Sequence, residues 1–209
     1  MKRTVRIALK IFLAAVAVYV AVTAYALLAV RGTFDHRPAS SDEPANQVYL
    51  GSQGHRIAGR VYGWRPAGPQ ILQTPRPLLV VLHGDAPFHN PGYQNAFALQ
   101  VAKAAQGSTE VSVLRPGYSD PFGMKSDGDR GFAVGENYTP AVVADIAEAI
   151  RQMRSDWKVS GVVLVGHSGG AAIAANVAAL NPGLVDRLFL VGCPCDVPAF
   201  RKHMARARR

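Results

Sequence analysis

The segment Gly166-His167-Ser168-Gly169-Gly170 constrains the fold more than any other stretch of the sequence. It follows an apolar run at residues 162–165 and precedes a stretch of small apolar residues at 169–180. This context matches the G-x-S-x-G pattern, in which the serine lies on a strained strand-to-helix turn and the outer glycines let the backbones approach. The sequence therefore predicts a strand, a sharp turn carrying Ser168, and a helix.

Strands and helices alternate along the rest of the chain. Predicted strands lie at residues 47–50, 56–64, 78–82, 111–114, 162–165 and 188–191, and predicted helices at 94–106, 140–157 and 169–180. The first two strands are separated by a short glycine-containing turn, which is typical of an antiparallel hairpin. Alternation of the later elements favours a mostly parallel sheet with helices on both faces.

Two backbone positions are expected to stabilise negative charge near Ser168. The start of a helix presents unpaired N–H groups and the positive end of the helix dipole, so the N–H of Gly169 is the first expected donor. The strand at 78–82 ends in His83-Gly84, and the N–H of Asp85, or alternatively that of Ala86, is the expected second donor. These groups predict attack of Ser168 on a carbonyl carbon with a backbone oxyanion hole.

Other site classes are disfavoured. The G-x-G-x-x-G spacing of dinucleotide-binding turns is absent from the sequence, so no nucleotide cofactor is expected. Cys193 and Cys195 are the only cysteines; two ligands make no zinc site, and residues this close are expected to remain free thiols. The formal charge of +9 resides at the two ends, residues 1–10 and 201–209, leaving a neutral body that argues against nucleic-acid binding.

The motifs after the third, fourth and fifth strands, His83-Gly84, Arg115-Pro116-Gly117-Tyr118 and the Ser168 pentapeptide, resemble those of the α/β-hydrolase superfamily. The similarity is greatest to its proline-iminopeptidase and serine-aminopeptidase branch and covers about residues 47–200. It implies a three-layer sandwich, a Ser-acid-His triad acting on esters, amides or peptides, and no cofactor or metal.

The resemblance also implies triad partners that the sequence supplies incompletely. Family members carry the acid after strand six or seven and the histidine after strand eight. Strands seven and eight are not expected here, so we predict a carboxyl-terminally incomplete hydrolase domain with Asp196 as tentative acid and His203 as tentative base. The alternative is an inactive fragment that acts, if at all, as a binding module.

The amino-terminal region predicts membrane insertion. Residues 11–30 carry no charge and follow four basic side chains, and a helix of this length spans about 30 Å. Ala24-Tyr25-Ala26 also fits a signal-peptidase site, but the run exceeds the usual ~7 to 15 residues of the hydrophobic region of a signal peptide, which favours an uncleaved single-pass anchor. Either interpretation exports the domain. The predicted organisation is an anchor at residues 1–31, a linker at 32–46 and the hydrolase domain at 47–209.

Overall fold

The computed structural model describes residues 47–63, 75–105, 107–132 and 134–207. The predicted membrane segment at residues 11–30 and the linker at 32–46 lie outside these ranges. Within them, no helix combines the length and the apolar character that crossing a bilayer requires.

A six-stranded sheet organises the described residues. Its strands are β1 (Gln47–Leu50), β2 (Ile57–Gly63), β3 (Pro77–Leu82), β4 (Thr109–Val113), β5 (Gly161–His167) and β6 (Arg187–Val191), in the spatial order β1-β2-β4-β3-β5-β6. β1 pairs antiparallel with β2 and β2 pairs antiparallel with β4, while the other neighbours are parallel. The predicted hairpin and mostly parallel sheet are confirmed.

Helices occupy the segments after β3, β4, β5 and β6. They are α1 (Tyr93–Ala104), α2 (Pro140–Asp156), α3 (Gly169–Leu180) and α4 (Val197–Ala207). The start of α2 agrees with the sequence, because Thr139 accepts a hydrogen bond from the N–H of Val142 and Pro140 takes the first helical position. The first three helices begin within one residue of their predicted positions.

Side chains alternate across β3, which places a core on each face of the sheet. Leu78, Val80 and Leu82 are fully buried in a cluster that α2 and α3 cover, while Val81 faces Ala98 of α1 on the other side. Burial on both faces explains why β3 is an unbroken apolar run. The carboxyl ends of β3, β4 and β5 therefore meet at one edge of a covered, rigid sheet.

β6 differs from the inner strands because it lies at an edge of the sheet and remains exposed. The side chain of Phe189 is 55% exposed and that of Val191 is 51% exposed. Its backbone pairs with β5 alone among the described strands, from Arg187 opposite Val163 to Val191 opposite His167. An apolar edge strand of this kind is an open surface for association.

The expectation of free cysteines was wrong. Cys193 and Cys195, in the loop between β6 and α4, form a disulfide with their Cα atoms 5.0 Å apart. The intervening Pro194 is buried. A separation within the usual disulfide range is therefore reached across a single residue.

Candidate active site

Ser168 lies on a turn with an uncommon backbone conformation. Its φ is +50° and its ψ is −120°, between the end of β5 and the first residue of α3. A positive φ is unfavourable for a residue that carries a side chain and costs on the order of 1–3 kcal/mol. The N–H of Ser168 donates to the carbonyl of Val191 in β6 at 2.8 Å, which helps to hold this conformation. We call residues 166–170 the elbow.

The outer glycines of the elbow stand where a side chain would collide with backbone. A Cβ on Gly166 would lie 2.6 Å from the Cα of Ala171. A Cβ on Gly170 would overlap the carbonyl oxygen of His83 and lie 2.8 Å from that of Leu82. The predicted steric role of both glycines agrees with these close approaches.

Gly169 is glycine for a different reason. A Cβ at this first position of α3 would overlap the Asp85 carboxylate and the Tyr138 hydroxyl. Its N–H belongs to the first turn of the helix, whose N–H groups have no acceptor within the helix. The position thus combines a donor beside Ser168 with close contact to the segment that follows β3, residues 83–86, which we call the β3 turn.

His83 sets the geometry of the β3 turn from within the core. Its Nε2 accepts the N–H of Arg115 at 3.1 Å, so its Nδ1 carries a hydrogen and donates to the carbonyl of Gly84 at 2.7 Å. The Gly84 carbonyl and the Asp85 N–H belong to one trans peptide and point in opposite directions. His83 therefore orients the N–H of Asp85, and both of its ring nitrogens are engaged in hydrogen bonds.

Acid is expected to destabilise the protein through His83. Burial, with the nearby Arg115 cation, lowers the pKa of this imidazole from 6.5 to about 3. The unfolded chain gains a proton below pH 6.5 that the folded protein does not bind, so stability falls as pH drops towards 3, by up to about 1.4 kcal/mol per pH unit. Urea unfolding between pH 4 and 7 should show a shallower pH dependence for His83→Gln. His55→Gln, at an exposed site, is the control, and equal slopes for His83→Gln and wild type would contradict this assignment.

The Asp85 side chain is buried and fully engaged. Its carboxylate accepts hydrogen bonds from Arg115 Nη1 at 2.7 Å, the N–H of Gly135 at 2.8 Å and the Tyr138 hydroxyl at 2.5 Å. Burial and the hydrogen bond to Asp85 raise the pKa of Tyr138, so the phenol stays protonated and donates. The Arg115 cation offsets the carboxylate charge, which makes an acidic residue compatible with a neighbouring site for negative charge.

The structure does not bring Asp196 and His203 together. Asp196 precedes α4, and its carboxylate caps the helix by accepting the N–H of Ala199 at 2.9 Å. His203 is exposed two turns further along the helix, about 10 Å away along its axis. A rigid helix therefore separates the tentative acid and base.

Three residues at the β3 turn were not predicted from the sequence. Tyr93, Arg115 and Tyr138 come from α1, the end of β4 and the residue before the cap of α2. Arg115 carried a signal, because it lies two residues after the end of a strand parallel to β3 and so at the same edge of the sheet. The two tyrosines carried none, since their roles depend on hydroxyl hydrogen bonds across the fold.

Comparison with known proteins shows the same architecture. A family model described as the alpha/beta hydrolase family matches residues 79–209. An alpha-beta serine hydrolase homologue from Coxiella burnetii superposes with a TM-score of 0.50 at 20% identity, over 72% of this chain and 64% of that one. Est1E from Butyrivibrio proteoclasticus, solved with ferulic acid, gives a TM-score of 0.50 at 18% identity, over 68% and 50%.

The chain spans less than two thirds of the length of either solved structure. Identities this low establish a shared fold and nothing finer. A search of curated proteins finds no significant match.

Proposed function

Because the chain belongs to the alpha/beta hydrolase family, we propose that it is a serine hydrolase in which Ser168 is the nucleophile. The observation that carries this proposal is the elbow conformation, with Ser168 at φ +50° between β5 and α3. Such a turn exposes the serine hydroxyl at the carboxyl edge of the sheet. Strained residues of this kind are concentrated at active sites, which supports a chemical role for Ser168.

The backbone around Ser168 supplies the expected electrostatics. The N–H groups of Gly169 and Asp85 are the proposed oxyanion donors, one from the positive end of α3 and one from the β3 turn. The pairing of the Asp85 carboxylate with Arg115 keeps its negative charge from opposing the oxyanion. Removing one such donor from a hydrolase costs about 100- to 1000-fold in kcat.

The reaction follows from these roles. Ser168 Oγ bonds to the substrate carbonyl carbon, its proton passes to a histidine base, and the carbonyl electron pair moves to the oxygen held by the two N–H groups. Collapse expels the alcohol or amine, which takes the proton, and water then hydrolyses the acyl-enzyme. The proposal requires an imidazole against Ser168. Both ring nitrogens of His83 already make hydrogen bonds to backbone, so His83 is not assigned as the base. His203 is not assigned either, because the helix that Asp196 caps holds it away from that carboxylate.

Labelling with a fluorophosphonate probe tests the proposal. We expect the probe to modify wild-type protein at Ser168, identified by mass spectrometry of the labelled peptide, and to leave Ser168→Ala unmodified. His203→Ala should label as wild type does, because α4 separates it from the Asp196 carboxylate. An unlabelled but folded wild type would favour the inactive binding module, and loss of labelling in His203→Ala would restore the compact triad.

The substrate class proposed first is a small ester, with short peptides as the second. Est1E was solved with ferulic acid, so aryl esters and 4-nitrophenyl esters are suitable first probes. The sequence resemblance to the proline-iminopeptidase branch makes chromogenic amides of single amino acids the matching amide probes. Turnover of the esters without turnover of the amides would contradict the assignment to the proline-iminopeptidase branch.

We further propose that residues 11–30 anchor this hydrolase in the cell membrane, with the domain on the extracytoplasmic side. The support is the uncharged run of twenty residues behind four basic ones, which orients the amino terminus towards the cytoplasm. Alkaline carbonate should leave the full chain in the membrane pellet, and external protease should digest the domain in spheroplasts. Release of a shortened chain into the medium would instead show cleavage near Ala26.

A further inference from the structure

One hydroxyl lies between the β3 turn and the elbow. Tyr93, the first residue of α1, accepts the N–H of Gly84 on its Oη at 2.5 Å, and the same Oη lies 2.7 Å from Nδ1 of His167. The ring of Tyr93 also stands edge-on to that of His167, with centroids 5.3 Å apart. The side chain thus contacts both segments that the proposed function uses.

The direction of these hydrogen bonds follows from the protonation of the phenol. Burial raises the pKa of Tyr93 to about 12, so the hydroxyl is protonated at neutral pH. Since its oxygen already accepts from Gly84, its hydrogen is free to be donated to His167 Nδ1. A neutral His167 then carries its own hydrogen on Nε2, and the hydrogen bonds run in one direction from Gly84 through Tyr93 to His167.

The segments that Tyr93 joins are already in close contact. A Cβ on Gly84 would lie 3.0 Å from the Cβ of Ser168 and 3.1 Å from Nδ1 of His167. The carbonyl of Gly84 is held by His83, and its N–H is held by Tyr93. Both peptide units that meet at Gly84 are therefore fixed. Of the two side chains that hold them, Tyr93 is the one that also contacts the elbow, through His167.

We propose that Tyr93 is a positioning residue that holds the β3 turn against the elbow, so that the N–H of Asp85 and the side chain of Ser168 keep a fixed separation. This inference rests on the proposed function, because its consequence is the placement of one oxyanion donor relative to the nucleophile. Misplacement of a catalytic group by about 1 Å can cost about 100-fold in rate. Substrate binding depends on other surfaces and is affected less.

Steady-state kinetics with a 4-nitrophenyl ester provide the first test. Tyr93→Phe keeps the ring and removes the hydroxyl, and we expect kcat to fall by about 10- to 100-fold with KM changed by less than about twofold. Tyr49→Phe, on the half-exposed Tyr49 of β1, is the matched control and should behave as wild type. Tyr93→Phe with His167→Leu should be no slower than the slower single variant, because both remove the same link. Retention of wild-type kcat in folded Tyr93→Phe, or additive losses in the double variant, would overturn the proposal.

Nitrogen NMR of the histidine side chains separates this inference from the proposed function. In wild type, the neutral form of His167, assigned by its loss in His167→Asn, should show an unprotonated Nδ1 and a protonated Nε2. Tyr93→Phe should shift that tautomer preference. If wild type hydrolyses nothing, the proposed function fails, and the spectra alone decide whether Tyr93 makes the link. An unchanged His167 signal in Tyr93→Phe would refute it.

Discussion

Replacing Gly170 by alanine is expected to leave little folded protein, because the added methyl would overlap the carbonyl oxygen of His83 and approach that of Leu82. Leu82 is the last residue of β3, in the middle of the sheet and paired with Gly166, and His83 follows it with a fully buried side chain, so both oxygens belong to closely packed backbone. Overpacking a tight core usually costs about 1–3 kcal/mol, and a collision with fixed backbone lies at or above the upper end of that range. Soluble yield and urea unfolding monitored by circular dichroism measure the effect.

Gly161→Ala is the matched control for this substitution. A Cβ there would first meet the Asp186 carboxylate at 3.3 Å, which is the end of a side chain that can adjust. Gly161 is the first residue of β5, the strand that leads into the elbow, and Gly170 is the second residue of α3. The two variants add the same methyl group and differ in what that methyl meets. A loss of less than about 1 kcal/mol is expected for the control, and an equal loss in both variants would argue against backbone contact as the cause.

Asp120→Ala should produce the second large loss of stability. The Asp120 carboxylate bonds to Arg60 Nε at 2.6 Å and to the N–H groups of Phe122 and Met124 at 2.9 Å, with both charged side chains almost wholly buried. Removing one partner of such a pair leaves a charge in a medium that solvates it poorly, at a cost of about 3–5 kcal/mol. Urea midpoints at pH 7 should fall accordingly.

Two comparisons test whether burial is the reason. Glu148→Ala removes an exposed ion pair with Arg151 within α2 and should cost less than about 0.5 kcal/mol. Replacing Arg60 by methionine together with Asp120→Leu should be less destabilising than Asp120→Ala alone, since both charges of this buried pair are then removed. A double variant as unstable as Asp120→Ala would show that packing, and not the loss of the Asp120 carboxylate beside Arg60, dominates.

The elements of the fold were largely predictable because their signals are local. The apolar run of β3, the Thr139 cap and the glycines of the elbow each depend on a few neighbouring residues, and the structure agrees with all of them. The family model supports the predicted hydrolase fold on independent grounds. Predicted strand ends moved by at most two residues, as at β4, which starts at Thr109 and not at Val111.

The arrangement around the site was less predictable because it depends on contacts between distant residues. No local pattern indicates that Asp85 meets Arg115 and Tyr138, or that the Tyr93 hydroxyl joins two turns. The order of Asp196 and His203 in the sequence suggested a triad. Sequence order does not give the distance between two side chains, and here the helix between them keeps them apart. The Cys193–Cys195 bond was missed for a similar reason, since spacing alone does not reveal the distance between two side chains.

The bond from the Ser168 N–H to the Val191 carbonyl links the strained serine to an edge strand that is exposed to solvent. Edge strands open locally more often than inner ones, because one side of their backbone lacks a neighbour. Local opening at the end of β6 would break this bond and remove one of the contacts that hold Ser168 at its positive φ. Whatever holds the end of β6 in place therefore also supports the conformation of the nucleophile.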